Sequence, residues 1–258
     1  MQVRAKKSLG QHFLTDLSIA ERIADTIKDY KGLPVIEVGP GMGVLTQFLL
    51  DAGHDVTVVE LDEESVDYLK INFPQLKDRI VFEDFLKLDL KTIVGGKQFV
   101  VIGNYPYNIS SQIFFKVLDY KDQVACCSGM LQREVAQRLA ADPGSKTYGI
   151  LSVLLQAWYD AEYLFTVDEH VFNPPPKVKS GVIRFTRNQV QDLGCDERLL
   201  RTVVKTSFGQ RRKQLRNSVK PLVPGGSPVL QLPVMNMRPE QLSVQEFIEL
   251  TNTIQQAR

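Results

Sequence analysis

Apolar and polar positions change period along the chain, and the changes mark its elements. Between 17 and 28 the apolar residues Ile19, Ile23 and Ile27 recur at every fourth position, which predicts a helix capped by Asp16 or Ser18. Short apolar runs follow at 34–38, 55–60, 79–82, 99–103 and 124–131, as expected of strands covered on both faces. The stretches between and after them, 43–52, 63–73, 110–118, 134–141 and 148–159, read as helices, with Pro74 closing the second. Two later runs, 161–167 and 178–187, read as strands. Strand–helix alternation on this scale predicts a doubly wound α/β domain with a mostly parallel sheet. Beyond about residue 188 the strand signal fades. Segments 197–208, 212–219 and 244–257 read as helical, with a Pro/Gly-rich break at 221–233. The expected organisation is a doubly wound domain over 1–187 and a small helical domain over 188–258.

Composition narrows the class. A chain of 258 residues buries enough apolar surface to need no staples. Cys126, Cys127 and Cys195 form no C-x-x-C pair, and His12, His54 and His170 are scattered. No zinc pattern or disulfide framework results, so no metal is expected and a reducing compartment fits. The N-terminus lacks the apolar core of a signal peptide, and no run reaches the roughly 18–20 apolar residues of a membrane span. A cytoplasmic monomer is the expectation.

Charge adds a partner. The net charge of +1 conceals a lopsided distribution. Arg201, Lys205, Arg211, Arg212, Lys213, Arg216 and Lys220 fall in a stretch with no acid, and Arg4, Lys6 and Lys7 form a smaller basic cluster. A charge run often marks only a solvated helix face. The complete lack of acids favours RNA, with Arg211, Arg212, Lys213 and Arg216 as the contacting residues.

Two motifs carry the chemistry. Glu37-Val38-Gly39-Pro40-Gly41-Met42-Gly43 follows the first predicted strand and opens a helix. Its G-x-G-x-G spacing has Val44 where a dinucleotide fingerprint needs glycine. Gly39, Gly41 and Gly43 suit a loop passing under a nucleoside, with helix N–H groups facing an anionic group. Glu60 ends the next strand and is placed to accept ribose hydroxyls. Asp84, after the third, is placed to bond an adenine amine, with Phe85 beside it. Each has a plainer reading: a tight turn, a solvated strand-end acid, a cap, a core aromatic.

The second motif, Asn104-Tyr105-Pro106-Tyr107, follows the run Phe99-Val100-Val101-Ile102-Gly103. The exocyclic amine of adenine is a poor nucleophile because its lone pair is delocalised. The Asn104 side-chain oxygen and the Tyr105 carbonyl would accept its hydrogens and free the lone pair. Pro106 fixes the turn, and Tyr107 offers a face for stacking. A proline turn with a packed tyrosine is the plain alternative. The two motifs together, in this order, indicate an S-adenosylmethionine-dependent amino-methyltransferase.

With these residues in view the chain resembles the KsgA-type small-subunit (16S) rRNA adenine N6,N6-dimethyltransferases, relatives of the erythromycin-resistance rRNA methylases. The resemblance runs nearly end to end. Gln11-His12-Phe13-Leu14 is similar to the family's segment that closes over the cofactor, which implies His12 and Leu14 as cofactor contacts. Phe172-Asn173-Pro174-Pro175-Pro176-Lys177-Val178-Lys179-Ser180 resembles its late F-x-P-x-P-K-V-x-S motif, which implies that Phe172 stacks on the base opposite Tyr107. A rigid connector is the alternative for that stretch. Phe208 to Asn217 resembles its C-terminal basic segment. The family commonly has leucine at Tyr105 and asparagine at His12. The resemblance implies a Rossmann-like fold and dimethylation of two adjacent adenosines in a small-subunit rRNA stem-loop on the immature 30S subunit. The adenosine would be extruded into the pocket. The rivals are a large-subunit rRNA methylase of the antibiotic-resistance type, a DNA adenine methylase, and a ribosome-assembly binding factor with secondary catalysis.

Overall fold

The structure is a computed structural model that describes residues 3–6 and 9–258; Lys7 of the N-terminal basic cluster lies outside them. The chain forms two compact units, Met1–Ala136 with Ala161–Arg187, and Gln137–Asp160 with Asn188–Arg258.

The first unit is built on a sheet of β2 (Pro34–Val38), β3 (Asp55–Glu60), β4 (Ile80–Phe82), β5 (Phe99–Asn104), β6 (Val124–Gln132), β7 (Tyr159–Val167) and β9 (Ser180–Arg187). A two-residue strand β1 (Phe13–Leu14) pairs antiparallel with β8 (Phe172–Asn173), Leu14 facing Phe172. The sheet order is β4-β3-β2-β5-β6-β9-β7. The pairings from β4 through β6 are parallel, and β9 joins β6 antiparallel. The chain starts in the middle at β2, builds one way to β4, then returns to β5 and builds the other way. That reversal opens a crevice at the carboxyl ends of β2 and β5, where doubly wound folds bind ligands.

The strands are where the apolar runs predict them, because β2 and β5 are buried along nearly their whole length. Helix α1 (Leu17–Ala24) starts at Asp16, whose side chain accepts from Ser18 N and Ile19 N. It packs on α2 (Val44–Asp51) and on β6; α3 (Glu63–Asn72) packs on β3 and β4, and α5 (Ser110–Asp119) on β6. A short α4 (Lys91–Val94) precedes β5. Ile23, Leu49, Val58, Val100 and Met130 meet in the core.

The second unit is helical. Helix α8 (Glu197–Gly209) buries Leu199, Leu200, Val203 and Val204 along one stripe. It packs on α7 (Ile150–Gln156) and on α10 (Val244–Gln256), which opens with a Ser243–Glu246 capping box. Residues 137–160 therefore group with the C-terminal helices, whereas the sequence pattern places them with the sheet. The reason is α7: Leu151 to Leu155 are all buried, so this helix has core contacts all round. It follows α6 (Arg133–Leu139), which links the two units in sequence. The predicted helix 212–219 shrinks to α9 (Leu215–Ser218). Lys213 N bonds Gln210 O in a turn, and Leu215 N bonds Met237 O, so the cationic run lies outside helical pairing. No helix of the described residues is long and apolar enough to cross a membrane.

Candidate active site

The crevice holds a cavity lined by the ends of β2, β3, β4 and β5 and by residues 9–14. Its floor is the loop after β2. Gly39, Gly41 and Gly43 have φ of +65°, +56° and +77°, a left-handed run that side chains resist. At Gly41 an added Cβ would also sit 2.9 Å from the Phe13 ring, so residue 13 fills the space above the loop. Gly43 faces away from the cavity. A Cβ there would meet Phe73 at 2.4 Å, and Gly43 serves as the left-handed cap of α2 rather than as a wall of the site.

Glu60 braces this loop. Its Oε2 accepts from Gly41 N at 3.0 Å, and its Oε1 from Leu61 N and Asp62 N at 2.8 and 2.9 Å. Burial pushes its carboxyl upward, against the pull of those three amides. Oε2 accepts only that one bond, so it keeps acceptor capacity, and Glu60 lines the cavity. Asp84 also does two things. Its Oδ1 accepts from Leu86 N at 2.9 Å, the cap foreseen as its plain reading, and it lines the cavity beside buried Phe85.

Asn104 ends β5. Its Nδ2 donates to the His12 carbonyl at 3.1 Å, which orients the amide and leaves Oδ1 free of any protein partner among the described residues. Tyr105 N bonds Met130 O at 2.8 Å. The Tyr105 ring does not widen or block the pocket: it runs into the core, 1 % exposed, with its hydroxyl donating to Ser128 O at 2.7 Å. Gly103 and Gly129 make room for it; a Cβ at Gly129 would lie 2.7 Å from the ring and 2.2 Å from Gly103 O. Pro106 and half-buried Tyr107 line the cavity. The Tyr107 hydroxyl meets Ser180 Oγ at 2.5 Å, and its ring lies 5.5 Å from the His12 ring.

Residues 9–15 strap these parts together. His12 Nδ1 bonds Pro174 O at 2.8 Å, and Thr15 N bonds Val171 O at 2.8 Å. Lys6 forms an ion pair with Asp62 and lies 3.2 Å from Glu64, so it anchors the strap. Leu14 lines the cavity and is buried in the core. Phe172 does not reach the cavity. It is 4 % exposed and packs in the core through its pairing with Leu14, so an opposing stacking face on Phe172 is absent from this arrangement.

Two cavity residues escape a motif-based reading. Phe13 sits inside a quoted segment but has no polar chemistry to mark it. Glu37 is 1 % exposed, lines the cavity, and its Oε2 has no hydrogen-bond partner. Burial pushes its carboxyl up to about 8, the Thr46 hydroxyl eases this, and the Glu60 carboxylate adds to it. An acid at the head of a glycine motif is the signal that was available.

In the second unit Arg212, Lys213 and Arg216 are exposed. Arg211 is half-buried, its Nη2 3.3 Å from Ser145 O and its guanidinium 6.0 Å from the Phe208 ring centroid.

Comparison with known proteins adds the following. A family model described as "Ribosomal RNA adenine dimethylase" matches residues 2–256. The chain is 73% identical over 249 residues to "Ribosomal RNA small subunit methyltransferase A" of Parabacteroides distasonis, covering 96% of this chain and 93% of that protein. Among solved structures it is similar to a dimethyladenosine transferase from Plasmodium falciparum, with TM-score 0.79 and 23% identity over 95% of this chain and 98% of that one. It is also similar to the 23S rRNA methyltransferase ErmE, with TM-score 0.68 and 26% identity over 93% of this chain and 99% of that one. The shared fold is the Rossmann-like methyltransferase fold.

Proposed function

We propose a reaction from one premise: the chain belongs to the ribosomal RNA adenine dimethylase family. The reaction is dimethylation of the N6 amines of two adjacent adenosines in a small-subunit (16S) rRNA stem-loop, using S-adenosylmethionine. The immature 30S subunit is the partner, and such a substrate places the protein in the cytoplasm. One observation carries the reading: the Asn104 amide is fixed by the His12 carbonyl, so its Oδ1 projects as an acceptor at the strand end beside Tyr107.

The cavity fits the cofactor. The buried Glu37 Oε2 lacks a donor, which suits the methionyl ammonium. Glu60 retains an acceptor for the ribose, and Asp84 Oδ2 one for the adenine amine, with Phe85 against the ring. The bound sulfonium supplies an electrophilic methyl carbon. The protein supplies the rest. Asn104 Oδ1 and the Tyr105 carbonyl hold the two amine hydrogens and turn the nitrogen lone pair outward. Tyr107, its hydroxyl tied to Ser180, presents its face to the base. Alignment then provides much of the rate without a strong base. Arg212, Lys213 and Arg216 contact RNA phosphates, and Arg211 acts chiefly on its own unit.

The large-subunit alternative has ErmE as a structural neighbour, at 26% identity. The much nearer relative carries a small-subunit name. Methyl transfer from labelled cofactor to unmethylated small subunits, with primer extension on both rRNAs, tests the reading. Stops at two adjacent adenosines of the small-subunit rRNA are expected. Stops confined to the large-subunit rRNA, or transfer only to duplex DNA, would overturn it. Alanine at Arg212, Lys213 and Arg216 together should flatten the dependence of log affinity on log salt by roughly 2–3, from about 0.7–0.9 per lost phosphate contact.

A further inference from the structure

Arg133 stands one residue beyond β6, as the first residue of α6. Strand register gives its place. Asn104 lies opposite Met130 across β5 and β6, so Arg133 follows three positions later on the same carboxyl rim, roughly 10 Å along at a strand rise of about 3.3 Å. On its other side Gln132 lies opposite Ser180, whose hydroxyl holds Tyr107. Arg133 thus borders the wall on which the target base is expected to rest.

Stability does not account for this arginine. It is exposed, and its guanidinium has no hydrogen bond or ion pair among the described residues. It occupies the first turn of a helix, the end where the helix dipole opposes a cation. Lys179 is its neighbour in the main chain, because Arg133 N donates to Lys179 O at 3.0 Å. The Lys179 ammonium is held by an ion pair with Asp168, which raises its pKa, and the Arg133 charge opposes that rise only weakly. Lys177, two residues before, is exposed as well. Arg133 is thus an exposed guanidinium without a protein partner among the described residues, on the rim that carries Asn104 and Tyr107. A nucleic acid strand delivering a base to Tyr107 brings phosphates to that rim, and a guanidinium matches a phosphate in a two-point contact.

We infer that Arg133 binds the backbone phosphate flanking the adenosine being methylated, with Lys179 as the neighbouring cation. The inference rests on the reading of the cavity as an adenosine site. It gives the first unit its own RNA contact, in addition to the basic residues of the second. The contact holds the strand while the base is out of its stack, so it bears on the rate with bound RNA as well as on affinity.

The test uses the full chain, unmethylated small subunits, and the variants Arg133→Ala, Arg133→Gln and Arg133→Lys. Filter binding at several salt concentrations should show a slope smaller by about 0.7–0.9 in the alanine and glutamine variants and restored in lysine. Single-turnover methylation at saturating subunits should fall at least several-fold in alanine and glutamine. Lysine, without the planar fork, should recover only part of it. Affinity for S-adenosylmethionine by calorimetry and the melting temperature should stay at wild-type values. An unchanged slope and rate in the glutamine variant overturns the inference, and so does a loss that tracks a lowered melting temperature in all three. Wild type run alongside separates the two claims: no transfer by wild type overturns the adenosine reading, whereas normal transfer with an unchanged glutamine variant overturns the Arg133 contact alone.

Discussion

Glu37→Gln should make the stability of the ligand-free protein less sensitive to pH, by an amount the structure sets. The Glu37 carboxyl is fully enclosed at the end of β2 and holds its proton up to about 8, against an ordinary value of 4.5. In the unfolded chain it ionises near the ordinary value. Between those limits the folded state binds one proton more, so this group's contribution is fully present below about 4.5 and is lost as pH rises toward about 8. Each unit is worth about 1.36 kcal/mol, so by pH 7 the group has withdrawn on the order of 3 kcal/mol. Glutamine has the same size and no proton to lose. Its buried NH₂ group needs an acceptor, a cost of about 1–3 kcal/mol at every pH, so the net change at pH 7 is small. The difference in slope is the diagnostic quantity. Urea unfolding at pH 5, 6, 7 and 8 should show wild-type stability falling, relative to Glu37→Gln, by up to about 1.4 kcal/mol per unit across the middle of that range. Parallel curves would refute the claim that the folded protein carries this proton. A second arm ties the group to the cofactor. Saturating S-adenosylmethionine should remove most of the slope difference, because an ammonium against Oε2 favours the ionised form, and should bind the glutamine variant more weakly.

Three other outcomes follow from the same geometry. Asn104→Ala should leave the melting temperature near wild type and lower the single-turnover rate by about 10²-fold, the scale of one lost preorganised polar contact; a near-normal rate at saturating RNA and cofactor removes Asn104 from the chemistry. Lys116 Nζ donates to Leu86 O at 3.1 Å and to Leu88 O, and Tyr120 OH donates to Asp89 Oδ1 at 2.8 Å, so α5 holds the turn that presents Asp84 and Phe85. Lys116→Met should therefore raise KM for S-adenosylmethionine several-fold with little change in kcat, with partial rescue in Lys116→Arg; an unaltered KM sinks this role. His54 is buried with both ring nitrogens unpartnered, and burial lowers its pKa below the ordinary 6.5. Its unfolded form takes up a proton first, so stability falls as pH drops below about 6.5, and His54→Leu should abolish that part of the acid sensitivity; identical acid limbs in denaturant titrations would contradict it.

What was legible in the sequence was whatever depends on neighbours along the chain. Strands β2 and β3 have the bounds their apolar runs predict, because Val35, Ile36 and Val38, and Val56, Val58 and Val59, are buried along them. The glycine loop, the strand-end acids and Asn104 converge on one cavity because the doubly wound topology delivers every carboxyl end to the same edge. What depends on distant pairing was not legible. Phe13–Leu14 and Phe172–Asn173 are too short to carry a period, and only their mutual pairing makes them strands. That pairing takes Phe172 into the core, against the stacking role its motif implies. Helix α7 looks like one more helix on the sheet, since nothing in a uniformly apolar stretch says which unit will cover it. The predicted helix 212–219 loses its start to distant pairing: Lys213 N bonds Gln210 O in a turn, and Leu215 N bonds Met237 O.

The two departures from the family pattern have a common explanation in the main chain. At position 12 the contact that orients Asn104 comes from the backbone carbonyl, which any residue supplies. The imidazole is occupied elsewhere, on Pro174 O. At position 105 the proposed contact with the amine is again a carbonyl, and the N–H is fixed by Met130 O. The tyrosine ring is free to leave the site, and it does so because Gly103 and Gly129 leave a slot for it and Ser128 O satisfies its hydroxyl. The large side chain beside the proposed amine contact is thus accommodated in the core. The residue that constrains Tyr105 is Gly129, on the neighbouring strand: at φ +149°, with Gly103 O 2.2 Å from where its Cβ would stand, it has no room for a side chain. The geometry proposed for this strand end rests on backbone positions, and the side chains at 12 and 105 are absorbed by their neighbours.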